Sequence, residues 1–360
     1  MSFSLKDQIY HSDYVRQLAR ALEACHSGIS AVTFVEKALD DQWEQRELKE
    51  RMRHLTVCMR HFLPKGYSKA IGILREVAPA LAEHKFANVI FPDYVEQYGL
   101  EELDISLGAL ELFTQYGSSE FGIRPFIKKY EAETMERMNQ WTRHENLHIR
   151  RLASEGCRPR LPWAMALPKF QEDPTPILPI LKQLRDDPED YVYRSVANNL
   201  NDISKDHPRL VLGIGERWLG QHPHTDWVVK HALRTLLKRG NTRAMQLFGY
   251  GNPHEMQVSD FHLALPVGIG EQLHFSFSLR LPEKAKVRLE YAVDYLKKRG
   301  TYSRKVFKIS EGEMDAGTHE IKKKQSFKDF STRKHYPGEH FLSIIVNGVK
   351  QERQTFGLKK

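Results

Sequence analysis

The sequence predicts an α-helical solenoid over residues 1–252, followed by a β-sandwich over residues 253–360. Three observations carry that prediction. The chain is 360 residues long, more than the roughly 100–200 residues of one ordinary domain. Apolar residues recur at helical spacing up to about residue 250 and alternate with period two beyond it. A residue pattern also returns every 44 positions inside the helical part.

Composition narrows the class. Charged residues are 28% of the chain and apolar ones 41%, the balance of a globular protein. No stretch approaches the roughly 18 continuous apolar residues of a membrane span. The opening MSFSLKDQIYHSDYVRQLAR has no secretory pattern. Cys25, Cys58 and Cys157 lie far apart with no CxxC pair. That argues against a disulfide framework or structural zinc and fits a reducing cytoplasm. The net charge of +8 and pI near 9.2 favour a polyanion partner.

In order along the chain, Val15, Leu18, Ala19 and Leu22 fall at i, i+3, i+4, i+7. So do Leu48, Met52, Leu55, Met59 and Phe62, before Pro64 and Gly66 stop that helix. Further helices read at about 69–84, 102–116, 122–139, 145–156, 174–186, 189–203, 207–220, 225–238 and 241–247. The repeat aligns Glu101–Ala109, Glu145–Ala153 and Glu189–Ala197 without gaps, and Asp226–Leu233 follows. Each of the three gapless segments pairs an acid with apolar residues two and four later. A period near 40 with paired helices indicates a HEAT-like solenoid, in which stacked helix pairs share one core. Arg150, Arg194 and Lys230 hold equivalent places in successive repeats. Such a basic ladder suits duplex DNA; the alternative is packing between repeats.

After Gly251-Asn252-Pro253 the period falls to two. Leu273, Phe275, Phe277 and Leu279 alternate with polar residues, as do Val287, Leu289, Tyr291 and Val293. Val306 and Ile309, Phe341 to Val346 and Gln354 to Leu358 extend the set to about seven short strands. Turn signals at Glu311-Gly312, Ala316-Gly317, Pro337-Gly338 and Asn347-Gly348 separate them. That size and strand number suggest an immunoglobulin-like sandwich, without the antibody-type Cys and Trp. Residues 255–360 hold about 20 basic against 13 acidic residues, so the helical part is near neutral. The densest clusters, Lys297-Lys298-Arg299, Arg304-Lys305 and Lys322-Lys323-Lys324, read either as solubilised strand edges or as phosphate contacts near turns.

Acids beside the basic ladder are the informative residues. Glu155 ends the 145–156 helix and is followed by Arg158, Arg160 and Trp163. Asp202 ends the equivalent helix one repeat later. Equivalent helix ends should lie side by side, about 10 Å apart in axis, so both carboxylates could face one pocket. An acid on a phosphate-binding surface needs a chemical reason. Cleavage of a glycosidic bond supplies one, because a carboxylate stabilises the oxocarbenium-like sugar while another orients water. Trp163 could stack on a base or sugar. The plainer readings are an Arg151–Glu155 surface pair at i, i+4, Asp202 as a helix cap and Trp163 as core.

At these residues the chain resembles the AlkC branch of the AlkC/AlkD superfamily of HEAT-repeat DNA glycosylases. The resemblance rests on Leu5–Ala19, Phe113–Ile127, His148–Trp163 and Ser195–Asp202. It covers about residues 1–250, and the tail matches the subtype with a C-terminal immunoglobulin-like domain. It implies that Glu155 and Asp202 serve the chemistry, that Glu120 is a further acid of the pocket and that Trp163 is its aromatic wall. It also implies monofunctional release of 3-methyladenine or 3-methylcytosine from duplex DNA by a monomer, with no cofactor, lysine nucleophile or metal. Arg150, Arg151, Arg158, Arg160, Arg194, Lys230, Lys298 and Lys323 are the expected DNA contacts, and the protein is expected in the cytoplasm with the nucleoid. The competing readings are a DNA-binding scaffold without activity and a HEAT-type protein adaptor. His144 and His148, at i, i+4, have no HExxH-type acid between them and read as exposed histidines.

Overall fold

Helix starts fall where the repeat puts them in the computed structural model, which describes residues 4–330 and 333–360. Residues 1–3, part of the opening read for a leader, lie outside the described residues. Helices begin at Leu103, Leu147 and Asp190, just after the aligned acids Glu101, Glu145 and Glu189. Asn146 caps the second of them, its side chain accepting from the His148 backbone N–H at 2.9 Å. Helix Leu147–Gly156 packs on Asp190–Ile203, which packs in turn on Pro223–Ala232. Each contributes a buried apolar stripe, such as Val192, Val196 and Leu200, to a continuous core. This is the stacking of a HEAT-like repeat.

Four helices escape the periodic reading: Leu5–Ile9, Ala31–Ala38, Ile90–Tyr98 and Pro168–Glu172. Ile90–Tyr98 is instructive. Its residues 90 to 95 are all buried, so no polar face marks a helical period, and Pro92 argues against one. Two predicted helices are broken. The 122–139 segment divides at Tyr130 into Arg124–Lys129 and Glu131–Trp141. The 225–238 segment divides at Leu233, where the Asn201 amide donates to the Ala232 carbonyl at 2.8 Å. That side chain comes from a neighbouring helix and is invisible to local pattern.

The β region has eight strands: β1 (Gln257–Leu263), β2 (Val267–Gly268), β3 (Gln272–Leu281), β4 (Ala285–Leu296), β5 (Tyr302–Met314), β6 (Gly317–Ser326), β7 (Gly338–Val346) and β8 (Val349–Lys359). They form two sheets, ordered β1-β3-β6 and β2-β8-β7-β4-β5. Pairing is antiparallel except between β2 and β8. The alternating apolar residues of β3, β4 and β7 form one core that includes Phe277, Leu289, Val293 and Ile344. Glu311-Gly312, expected as a turn, lies inside β5, paired with Arg288 and Val287. Lys322–Lys324 are not beside a turn either; they lie along β6, an edge strand, where charge opposes sheet-to-sheet aggregation. Lys298 does lie in the exposed β4–β5 turn.

The chain divides into two compact units. One holds the residues up to Val211 together with Arg217–Ala232; the other holds Leu212–Glu216 and Leu233–Lys360. The second therefore includes the short helices Arg234–Lys238 and Thr242–Leu247 as well as the sandwich. Lys286 Nζ donates to the Phe248 carbonyl at 2.9 Å and the Asn347 amide to that of Gly251 at 2.7 Å. Among the described residues no helix is long and apolar enough to cross a membrane.

Candidate active site

Two adjacent helices of the first unit set the geometry. Leu147–Gly156 presents Arg151, Ser154 and Glu155, and Asp190–Ile203 presents Tyr191, Ser195, Asn199 and Asp202. Their side-by-side packing brings the two candidate carboxylates together, as the repeat register predicts. Glu155 is 6% exposed and Asp202 2%. Arg158 joins them, its Nη1 donating to Glu155 Oε1 at 2.7 Å and its Nε to Asp202 Oδ2 at 2.9 Å.

The contacts extend into an alternating chain of charge. Arg151 reaches Glu120 at 3.1 Å and Glu155 at 3.6 Å, and Lys205 donates to Asp202 Oδ1 at 2.9 Å. Glu120, Arg151, Glu155, Arg158, Asp202 and Lys205 thus alternate in sign. Removing charges from water costs several kcal/mol each unless partners are supplied, and here each buried acid has a cation. Burial works to lower the Arg158 pKa, but Glu155 and Asp202 outweigh it and hold the guanidinium above its ordinary value. For Arg151 burial is likewise outweighed by Glu120 and Glu155. Ser195 Oγ lies 2.6 Å from Glu155 Oε2 and donates to it. The Tyr191 ring lies under the Arg151 guanidinium at 4.6 Å.

Of the plainer readings, the Arg151–Glu155 pair exists, but as one link of this network rather than as a surface pair. Asp202 caps nothing, since its partners are Arg158 and Lys205. Trp163 is not core: it is 70% exposed. Its backbone is held at φ 66°, a conformation that costs a non-glycine residue free energy. Local contacts enforce it. The Lys49 ammonium donates to the Trp163 carbonyl, and Arg124 donates to the Met165 carbonyl at 2.6 Å and the Gly156 carbonyl at 2.9 Å. Arg124 is fully buried, which lowers its pKa to about 10.

The expected DNA contacts divide. Arg150 is taken up by Asp187 at 2.7 Å and by the His144 and Glu145 carbonyls. Arg151 and Arg158 are inside the network. Arg160 chelates Asp206 with its side chain partly exposed. These four arginines have intramolecular partners 31 to 46 residues away for all but the local links, which sequence spacing cannot reveal. Arg150 takes the packing role that was the alternative to the ladder. Arg194 is exposed, pairs with Asp190 and lies over Trp227 at 5.4 Å. Lys230 is partly buried, and Lys298 and Lys323 are exposed in the second unit. His144 Nδ1 accepts from the Asn146 backbone N–H at 2.9 Å, and the His148 ring meets Tyr191 edge-on at 5.7 Å. Among the described residues no group of three or more His, Cys, Asp or Glu could hold a metal.

Known proteins share this architecture. Residues 116–236 match a family model described as DNA alkylation repair enzyme, and residues 257–360 match the C-terminal Ig-like domain of YhaZ. The chain is 45% identical to the uncharacterized protein YhaZ of Bacillus subtilis over 97% of its own length and 98% of the relative's. It is 36% identical to the Pseudomonas fluorescens alkylpurine DNA glycosylase AlkC, solved bound to DNA containing an abasic site analog. That match has a TM-score of 0.94 and covers 99% of this chain and 100% of the other. The chain belongs to the AlkC family of DNA alkylation repair enzymes. In this AlkC family member, sequence reasoning missed Ser195, Tyr191 and Arg124. Tyr191, Ser195 and Asp202 stand at i, i+4 and i+11, so helical geometry could have placed the first two on the face that carries the acid.

Proposed function

We propose that this chain is a monofunctional, cofactor-independent DNA glycosylase. It hydrolyses the N-glycosidic bond of cationic alkylated bases, 3-methyladenine and 3-methylcytosine, in duplex DNA and acts as a monomer at the nucleoid. The supporting observation is the Arg158 bridge that joins Glu155 and Asp202 across two repeats. An alkylated base carrying positive charge departs without strong acid assistance, so the demand on the protein is electrostatic. One of the two carboxylates stabilises the oxocarbenium-like sugar and the other orients the attacking water. Glu120 holds Arg151 against Glu155, and the exposed face of Trp163 supplies the aromatic wall.

In this reading residues 1–252 carry the chemistry and residues 253–360 form the immunoglobulin-like domain. Arg160, Arg194 and Lys230 contact phosphate, joined by Lys298 and Lys323. Arg150, Arg151 and Arg158 act on DNA binding indirectly, by positioning the acids and helices of the site rather than as free phosphate contacts. The test is release of free base from duplexes carrying one defined methylated base, with EDTA present throughout. Release of both bases with an intact abasic strand is expected. No release, or inhibition by EDTA, overturns the proposal.

A further inference from the structure

A cleft beside the charge network shares only Trp163 with the mechanism above. It encloses about 570 Å³ between the helices Leu48–Phe62 and Ile90–Tyr98 and the Trp163–Met165 segment, inside the range of roughly 300–1,000 Å³ for small-ligand sites. It adjoins the network through Trp163 and through Ser118, which lines the cleft and accepts from Arg151 at 2.9 Å.

Its walls are exposed apolar groups. Val57, Trp163 and Met165 are 47%, 70% and 42% exposed and all face this one cleft. Phe121 adds a second aromatic ring, with the Lys49 ammonium 5.4 Å from its centroid. Large exposed apolar groups converging on one concavity mark a binding site. The Trp163 backbone is already fixed by Lys49, and Arg124 holds the neighbouring Met165 carbonyl.

The floor is acidic. Asp93 is 3% exposed and accepts from Arg53 at 2.7 Å through Oδ1. Its Oδ2 is buried beside the Thr56 hydroxyl, which also reaches the Met52 carbonyl at 3.2 Å. Glu96 lines the same floor, 4.0 Å from Arg53. Two carboxylates therefore share one guanidinium. An aromatic cleft with a surplus acceptor suits a planar heterocycle bearing an exocyclic amino group or positive charge. It does not suit a phosphate.

We infer that this cleft seats the free nucleobase after bond cleavage, a planar N-methylated heteroaromatic such as 3-methyladenine. The inference rests on the glycosylase reading, since the chemistry next door generates that molecule. Trp163 provides the stacking face, and Glu96 on the floor accepts from the exocyclic amino group.

Equilibrium dialysis of the full chain against free 3-methyladenine tests it, with thymine as control and duplex base release measured in parallel. Val57→Trp fills the cleft, and Glu96→Gln, compared at pH 8.5, removes an anionic acceptor at constant shape; neither residue belongs to the charge network. We expect saturable binding at a one-to-one ratio, no binding of thymine at the same concentrations, and affinity at least tenfold weaker in both variants. Single-turnover base release should be unchanged in them. Absence of saturable binding to the wild type, or binding unchanged in Val57→Trp, overturns the inference. If base release persists, the glycosylase reading survives that failure; if the wild type releases no base from DNA, that reading fails by itself.

Discussion

At the scale of single residues, the acids of this protein are held by cations rather than left bare. Arg158 is the shared partner of Glu155 and Asp202, so replacing it leaves these buried carboxylates with Arg151 and Lys205 as their remaining cations. Arg158→Met should destabilise the chain by about 3–5 kcal/mol, read as a shift in the urea midpoint. A shift within error would mean the bridge contributes little. Ser195→Ala removes the hydroxyl donor to Glu155 Oε2. It should slow base release by about tenfold with little loss of DNA affinity, whereas Ser195→Thr, which keeps the hydroxyl, should restore the rate.

Glu96 gives a pH test. Burial, aided by Asp93, raises its pKa from 4.5 to about 7. Between those values the folded chain binds a proton that the unfolded chain has released, so stability falls as pH rises through that window. Glu96→Gln should therefore raise stability at pH 8 by on the order of 2 kcal/mol and change little at pH 4.5. An equal effect at both pH values would contradict the assignment.

At the scale of elements, the sequence was readable where one face of an element is buried and the other wet. The repeat placed the helices that carry Glu155 and Asp202, and the period-two runs of β3, β4 and β7 placed the sandwich. Legibility failed where that contrast vanishes. Ile90–Tyr98 is buried nearly all round, and it lines the cleft beside the network. The charged strand β6 shows no apolar alternation. The carboxylates Asp187, Asp202 and Asp206 that hold Arg150, Arg158 and Arg160 lie 37 to 46 residues away, so the arginines were visible and these pairings were not. One close approach has a direct test. Gly240 sits at φ 70°, and an added Cβ would lie 2.3 Å from the Gly348 carbonyl oxygen. Gly240→Ala should cost about 2 kcal/mol or more, read as a fall in the melting temperature.

At the scale of the whole molecule, the excess positive charge resides mainly in residues 255–360, while the helical region pairs its charges internally. Net charge therefore points to a polyanion without locating the chemistry. Lys298→Gln combined with Lys323→Gln should weaken DNA binding and reduce the slope of log affinity against log salt by about 2. An unchanged slope would assign Lys323 to edge protection alone. In the proposed mechanism Glu155 acts on the glycosidic bond and not in gripping DNA. Single-turnover release of 3-methyladenine by wild type and Glu155→Gln, with duplex affinity measured alongside, tests it most directly. A loss of about 100-fold or more in release with affinity retained is expected; excision by Glu155→Gln at the wild-type rate would contradict it.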